Sequence, residues 1–347
     1  MAKRFAIVNQ KGGVGKTTSA TNLGAYLAEL DCKVLLVDLD PQANATSAFG
    51  IAGTVRRCVY EVLLGNASLS SVIVKSAHDG LDIIPSCKDL AGAEVELVSA
   101  LARESRLQKA LDNGDGKYDL VLIDCPPSLG LLTINALNAA SDVLVPVQCE
   151  YLALEGLSQL VQTLDLVRRN LNPELNLFGL ILTMFDPRTN LSAEVVEEVR
   201  DHFPQTFNTV IPRSVRLSEA PSHGQTILQY DANSKGARAY NKLARELLGR
   251  LGIDVPPLEE PVPRKRKEAV RKKAQQRPVK ARQEPRRASV SADGRGKPTR
   301  KTTQATANGR GKTTRKASRV AANGRGKTAV SAAGAKRASR TSQPARR

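Results

Sequence analysis

The sequence has few of the residues that build several common kinds of site. Its three histidines, His78, His202 and His223, lie away from any nucleophile motif, so we predict no catalysis by histidine. No two cysteines form a CxxC pair, which argues against a disulfide scaffold, a zinc site and a bridging iron–sulfur cluster and predicts five reduced thiols. No apolar run reaches 18 residues, and the N-terminus leads directly into a candidate strand, so we expect neither a transmembrane helix nor a signal peptide. The cysteines are Cys32, Cys58, Cys87, Cys125 and Cys149.

A glycine-rich segment follows the first apolar run of the chain. Residues 10–18 read QKGGVGKTT and come directly after residues 5–8, FAIV. A glycine-rich turn between a buried strand and a helix directs several backbone N–H groups, and the positive end of the helix, at one spot where a phosphate chain fits. We predict that Lys16 neutralises the outer phosphates of a nucleoside triphosphate and that the hydroxyl of Thr17 binds magnesium. The predicted nucleotide-binding residues of this loop are Lys11, Gly12, Gly13, Val14, Gly15, Lys16, Thr17 and Thr18.

Two later apolar runs end in carboxylates. Residues 34–37 lead into Asp38 and Asp40, and residues 120–123 lead into Asp124. Continuous apolar runs of this kind are typical of parallel strands that are buried on both faces and carry their chemistry at the carboxyl edge. Further short runs alternate with helical stretches, which predicts an α/β fold with a doubly wound, mostly parallel sheet. These runs lie at residues 81–85, 143–147, 178–182 and 210–212.

The segment KGGVGKTT resembles the deviant Walker A motif of the ParA and MinD superfamily of ATPases. A second lysine, Lys11, precedes the glycine pair, and Gln10 stands where the usual phosphate-loop pattern has glycine. Residues 44–51, 182–192 and 211–224 also look like the chromosomal ParA branch often called Soj. The resemblance covers roughly residues 1 to 255 and implies a P-loop ATPase with ATP and magnesium as cofactors.

The resemblance also implies roles for four catalytic residues. Lys11 would reach across a two-fold interface to the nucleotide of the partner subunit, so that ATP is sandwiched between two chains, while Lys16 stays with its own phosphates. Asp124 matches the Walker B aspartate, which holds magnesium through water. Asp40 matches the family residue that helps to position the attacking water. For Asp38, a purely structural role as a strand-end cap is an equal alternative.

Further site residues follow from the same resemblance and from one helical pattern. Met184 and the turn from Pro212 to Ser214 would line the adenine pocket, although Ser214 replaces the asparagine that we associate with this position. Arg188 and Arg216 stand where the resembling ATPases carry DNA-contacting arginines, and Arg213 is a weaker candidate. Residues 235–251 show helical spacing with Gly252 as the C-cap, and their basic face is either a second DNA contact or merely solvated. The DNA candidates on this helix are Lys235, Arg238 and Lys242, with Arg245 on the same face.

The C-terminal part of the chain differs sharply in composition. Residues 259–347 contain 28 Lys and Arg against 5 Asp and Glu, a net charge of +23, which leaves −5 for residues 1–258. They contain no Leu, Ile, Phe, Tyr or Trp, so we predict an ATPase domain over residues 1–257 and a disordered basic tail over 258–347. The sequence Gly-Arg-Gly-Lys occurs in this tail at residues 294–297, 309–312 and 324–327. Such a polycation would bind DNA without sequence preference, unless it binds RNA or has no partner.

Three functions agree with these features. The first is a cytoplasmic, nucleoid-associated ParA-like partitioning ATPase, whose ATP-dependent homodimer binds nonspecific DNA and is released when a ParB-like centromere-binding partner stimulates hydrolysis. The second is a MinD-like ATPase at a membrane surface, but the tail lacks the apolar face that an amphipathic membrane helix needs. We therefore expect DNA rather than a membrane as the partner. The third is an architectural nucleoid protein that is regulated by its ATPase domain.

Overall fold

The computed structural model describes residues 2–151 and 153–256, with no account of the side chains of residues 153–155. The predicted basic tail over residues 258–347, its Gly-Arg-Gly-Lys repeats and the predicted domain boundary at 257 lie outside the described residues.

The described part of the chain contains one seven-stranded sheet. Its strand order is β3-β4-β2-β5-β1-β6-β7. Every neighbouring pair is parallel except β3 and β4, which are antiparallel. This arrangement confirms the predicted α/β class and the mostly parallel sheet. The strands are β1 Lys3–Ile7, β2 Val34–Asp38, β3 Val74–Lys75, β4 Leu81–Ile84, β5 Leu120–Asp124, β6 Asp142–Gln148 and β7 Asn176–Thr183.

Helices connect successive strands and cover both faces of the sheet. The α-helices are α1 Lys16–Glu29, α2 Asn44–Ala48, α3 Val59–Leu64, α4 Leu90–Glu96, α5 Arg106–Asp112, α6 Leu131–Ala139, α7 Ala153–Asn170, α8 Asn190–His202, α9 Val215–Glu219, α10 Ile227–Asp231 and α11 Lys235–Arg250. Short 3₁₀ turns lie at Leu69–Ser71, Leu97–Ser99, Arg103–Ser105 and Ala220–His223.

Strand β1 explains why the apolar runs of this chain are continuous. Successive side chains of a strand point to opposite faces of the sheet. Phe5 and Ile7 therefore join the core beneath α1 and α11, whereas Ala6 belongs to the core on the other face. Both faces are covered, so every position of the run is buried and no polar alternation is present.

Two of the predicted elements differ in detail from the structure. The apolar run at residues 210–212 is not a strand: it makes an isolated parallel bridge between Pro212 and Phe185, and the N–H of Ile211 donates to the backbone oxygen of Leu182 at 2.8 Å. The predicted helix over residues 235–251 ends at Arg250, and Gly252 follows it in a left-handed conformation with φ +74°. The two-residue strand β3 had no recognisable pattern in the sequence.

The prediction of five reduced thiols is wrong for one pair of cysteines. Cys58 and Cys87 form a disulfide, with their Cα atoms 6.1 Å apart. The two residues are 29 positions apart and meet because β4 carries Cys87 back to the start of α3, a contact that cysteine spacing does not reveal. Cys32, Cys125 and Cys149 are free and buried.

Among residues 2–151 and 153–256, no helix combines the length and apolar character needed to cross a bilayer.

Candidate nucleotide site

The carboxyl ends of three neighbouring strands form the base of the candidate site. In the parallel registers, Ile7 of β1 and Asp38 of β2 both lie opposite Asp124 of β5. The loop from β1 to α1 rises from this edge, with Gly13 and Gly15 at φ +76° and +92°, a conformation that favours glycine. A Cβ added to Gly12 or Gly13 would meet no atom within 4 Å, so open space lies beside the loop at both positions.

Lys16, the first residue of α1, directs its ammonium group into this loop. The residue is 6% exposed, and Nζ donates a hydrogen bond to the backbone oxygen of Lys11 at 3.2 Å. Burial lowers the pKa of Lys16, and the negative charge of Asp124 opposes that effect. The cation is thus held at the point where the outer phosphates of a nucleotide in the loop would lie.

Asp124 is a fully buried carboxylate close to the hydroxyl of Thr17. In the described part of the chain, neither of its oxygens accepts a hydrogen bond of normal geometry. Burial and then the charge of Asp38 raise the pKa of Asp124 well above its usual value, while the side chain of Thr17 is close enough to oppose this rise. An unpaired buried carboxylate beside a threonine hydroxyl fits hydrated magnesium, which takes few protein ligands when it also binds substrate phosphates.

Asp38 and Asp40 occupy different environments. Asp38 is fully buried and accepts hydrogen bonds from the backbone N–H and the hydroxyl of Thr46 at 2.7 and 2.6 Å. Burial raises its pKa to about 6. These inward contacts agree with the structural alternative for Asp38, because they tie the end of β2 to α2. Asp40 is 6% exposed and accepts a hydrogen bond from the N–H of Gln42 at 2.9 Å.

A second segment holds the Asp40 loop in place. The hydroxyl of Ser86, which follows β4, donates to the backbone oxygen of Asp40 at 2.7 Å. The N–H of Ser86 donates to the hydroxyl of Thr46 at 2.9 Å. The position of Asp40 therefore depends on residues that are about forty places away in the sequence.

Lys11 points away from the loop of its own chain. Its Nζ lies 3.6 Å from Oε2 of Glu150, and both side chains are nearly half exposed. The other carboxylate oxygen of Glu150 lies 3.5 Å from the guanidinium of Arg213. Lys11 is thus available at the surface, where a second chain could meet it.

The predicted adenine contacts converge on one cavity of about 280 Å³ beside the loop. Met184, Pro212 and Ser214 line it together with the loop residues Gly15 and Thr18. Met184 has φ +54°, an uncommon conformation for a non-glycine residue that occurs mainly at functional sites. Further residues that line this cavity were not predicted from the sequence. All of them except Tyr240 lie within four positions of a predicted residue. The missed residues are Thr183, Ile211, Val215, Leu217, Ser218 and Tyr240. Arg213, which belongs to the predicted turn from Pro212 to Ser214, also lines the cavity.

The DNA candidates separate into two groups. Lys235, Arg238 and Lys242 line one surface cavity of about 490 Å³, which shares Pro212 with the adenine cavity. Within residues 2–151 and 153–256, none of the three forms an ion pair.

The other arginines are engaged elsewhere. Arg188 pairs with Asp186 at 2.6 Å, and Arg216 pairs with Glu219 at 3.3 Å and Asp231 at 3.7 Å. Arg245 donates a hydrogen bond to Asn241 at 2.7 Å and does not line the basic cavity.

Comparison with known proteins agrees with this geometry. A family model described as an AAA domain matches residues 2–177. The sporulation initiation inhibitor protein Soj of Bacillus subtilis is 55% identical over 249 residues, which are 71% of this chain and 98% of that protein. The chain belongs to the ParA/Soj family of P-loop ATPases. The chromosome-partitioning ATPase Soj of Treponema pallidum is 53% identical over 73% of this chain and 99% of its own length.

Solved structures share the fold of this chain. Cobyrinic acid a,c-diamide synthase from Mycobacterium smegmatis, with bound ADP and magnesium, has a TM-score of 0.64 at 40% identity and covers 75% of this chain and 100% of its own. The septum site-determining protein MinD from Pyrococcus horikoshii, complexed with Mg-ADP, has a TM-score of 0.62 at 29% identity, over 71% of this chain and 96% of its own.

Proposed function

We propose that this chain is an ATP-hydrolysing DNA-partitioning protein, whose ATP-bound dimer binds DNA without sequence preference and is released when a ParB-like partner stimulates hydrolysis. The observation that carries the proposal is the joint placement, at one edge of the sheet, of the glycine-rich loop, the buried Asp124 and the half-exposed Lys11. Membership of the ParA/Soj family supports the same function.

The proposed chemistry converts ATP and water to ADP and phosphate. The loop N–H groups and Lys16 hold the phosphate chain, and Thr17 and Asp124, the latter through water, hold magnesium. Bound magnesium would neutralise charge that develops on the phosphates. Asp40 orients the attacking water, and its backbone is kept in place by Ser86. Met184, Pro212 and Ser214 hold the adenine.

The proposed switch is the dimer. Lys11 leaves its contact with Glu150 and reaches the phosphates bound by the partner subunit, so that the dimer forms with ATP and not with ADP. A ligand that binds one of two states more tightly shifts the population by that difference in affinity, so hydrolysis sets the lifetime of the dimer.

We propose that DNA binds along the basic cavity formed by Lys235, Arg238 and Lys242, with Arg188 and Arg216 as further contacts. Residues 1–258 carry a net charge of −5. The three cations around this cavity, which form no ion pair with a described residue, are therefore a local concentration of positive charge in a negatively charged region. Pro212 lies in the walls of both this cavity and the adenine cavity, which gives nucleotide and DNA a shared structural element. Within the proposed ATPase domain of residues 1–257, this surface provides the nucleotide-dependent binding, and the tail over residues 258–347 adds binding in every nucleotide state.

The test uses the full chain and nonspecific duplex DNA, titrated across a salt series with ATP or ADP. We expect tighter binding with ATP, and we expect Lys242→Glu to remove most of that difference. The control is Arg169→Glu, an equal charge change on the exposed last turn of α7, at a residue that does not line the basic cavity. Equal affinity with ATP and ADP in the unmodified protein would contradict the proposed switch. An undiminished difference in Lys242→Glu would remove the basic cavity from the interface.

A MinD-like positioning ATPase is the second candidate, and the structural similarity to MinD favours it. Sedimentation with vesicles of anionic lipid separates the two functions. ATP-dependent binding to vesicles, without an ATP-dependent gain in DNA affinity, would favour the membrane function.

A further inference from the structure

The disulfide between Cys58 and Cys87 lies next to the loop that carries Asp40. Cys58 is the N-cap of α3, and Cys87 follows β4 directly after Ser86. The N–H of Val59, beside Cys58, also donates to the backbone oxygen of Pro85 at 2.9 Å. The cross-link therefore joins the start of α3 to the segment whose Ser86 hydroxyl holds the backbone of Asp40.

The five cysteines differ in how accessible they are. Cys87 is partly exposed, whereas Cys58 is 1% exposed and lies within bonding distance of it. Cys149 is 3% exposed, and burial raises its pKa to about 12, which keeps it a protonated thiol of low reactivity. Cys32 and Cys125 are likewise buried and unpaired. Among the five cysteines, only Cys58 and Cys87 thus combine a partly exposed residue with a second sulfur in position to resolve it.

We propose that Cys58 and Cys87 are a reversible oxidation site, a dithiol that hydroperoxides convert to the disulfide and that cellular thiols reduce. The thiolate of Cys87 attacks a peroxide oxygen, the O–O bond breaks, and Cys87 becomes a sulfenic acid. Cys58 then attacks this sulfur, the S–S bond forms and water leaves. With hydrogen peroxide, the two sulfurs lose two electrons and the peroxide is reduced to two molecules of water.

The consequence for ATP turnover rests on the proposed function. In the oxidised chain, the cross-link restrains residues 85–87 and, through Ser86, the backbone of Asp40. A group already held in its reactive position contributes more to the rate, so the disulfide form hydrolyses ATP faster than the dithiol form. Oxidation would then shorten the lifetime of the ATP dimer.

The first experiment tests the chemical step alone. The full chain is reduced, treated with hydrogen peroxide, and analysed by intact mass and by peptide mapping without reduction. We expect a loss of about 2 mass units, a peptide pair that contains Cys58 and Cys87, and full reversal by dithiothreitol. We also expect a rise in Tm of about 5 °C or more, since a cross-link of this span restricts the unfolded chain. Cys58→Ser, in which serine keeps an N-cap side chain, should show neither the loss of about 2 mass units nor the rise in Tm. The control variant, Cys149→Ser, should show both the mass loss and the rise in Tm.

The second experiment compares ATP hydrolysis by the oxidised and reduced proteins. We expect the oxidised protein to be about threefold faster, and the ratio to be 1 in the double variant Cys58→Ser/Cys87→Ser. Failure to form the disulfide, or oxidation of Cys87 to the sulfinic acid instead, overturns the proposal. Equal rates with a fully formed disulfide overturn the link to Asp40. Neither result bears on the partitioning function, which would instead be contradicted by a loss of ATP-dependent DNA binding in the reduced, unmodified protein.

Discussion

Thr183, the last residue of β7, offers the sharpest test of how the sheet holds the phosphate loop. It is 2% exposed, and its hydroxyl donates to the backbone oxygen of Val14 in the loop at 2.8 Å and lies 3.2 Å from that of Val147 in β6. Thr183→Val keeps the shape of the side chain but leaves the carbonyl of Val14 without this donor. A buried acceptor without a partner costs about 1–3 kcal/mol, so we expect a similar loss in the free energy of unfolding, measured by urea titration.

The loop should lose nucleotide affinity as well as stability. We assume that about half of the lost free energy had held the loop in the conformation that binds phosphate. The Kd for ATP then rises about three- to tenfold, because 1.4 kcal/mol corresponds to a factor of ten. Isothermal titration calorimetry on the folded protein measures this change. The control is Thr206→Val, which removes a buried hydrogen bond of 2.7 Å to Phe203 away from the adenine cavity. It should cost stability without changing the Kd. An unchanged Kd in a destabilised Thr183→Val would refute the idea that this bond shapes the loop.

Three further predictions concern the site and the pH dependence of stability. Lys16→Ala should abolish nucleotide binding, whereas Lys11→Ala should retain some binding but lose the ATP dimer; light scattering that still detects an ATP dimer of the Lys11 variant would contradict the sandwich arrangement. Asp40→Ala should trap an ATP-bound dimer on DNA, and normal phosphate release by this variant would exclude the proposed role of Asp40. Burial lowers the pKa of His78 from its ordinary 6.5, so the folded chain resists a proton that the unfolded chain accepts. Its stabilising contribution is therefore present above about pH 6.5 and is lost as the pH falls, and His78→Gln should show a smaller decrease in Tm between pH 7 and pH 5 than the unmodified protein.

Local sequence patterns were sufficient for the parts of this protein that depend on chain neighbours. A phosphate loop is a contiguous strand, turn and helix, so residues 10–18 contained all the information needed to predict it. The apolar runs that end at Asp38 and Asp124 were likewise enough to predict buried parallel strands, because burial on both faces removes polar residues from the run. The ParA/Soj resemblance was also carried by contiguous segments, which are the loop and residues 44–51, 182–192 and 211–224.

The order of the strands in the sheet determined which of the site residues are neighbours. Asp38 and Asp124 become neighbours because β5 pairs with β2, and the charge of Asp38 adds to burial in raising the pKa of Asp124. Glu150, which contacts both Lys11 and Arg213, belongs to no motif and is placed by the end of β6. These contacts depend on which strands are adjacent rather than on the residues beside them in the chain.

The packing of the helices determined two further features, the position of Tyr240 and the disulfide. Tyr240 is a buried residue of α11, yet it also lines the cavity beside the loop, because α11 packs against α1. The disulfide of Cys58 and Cys87 escaped prediction for a related reason, since β4 returns the chain to α3 only in the folded sheet. A sequence pattern records the periodicity with which a single element is buried, whereas a functional site combines side chains from several elements, whose proximity is determined only when the helices pack onto the sheet.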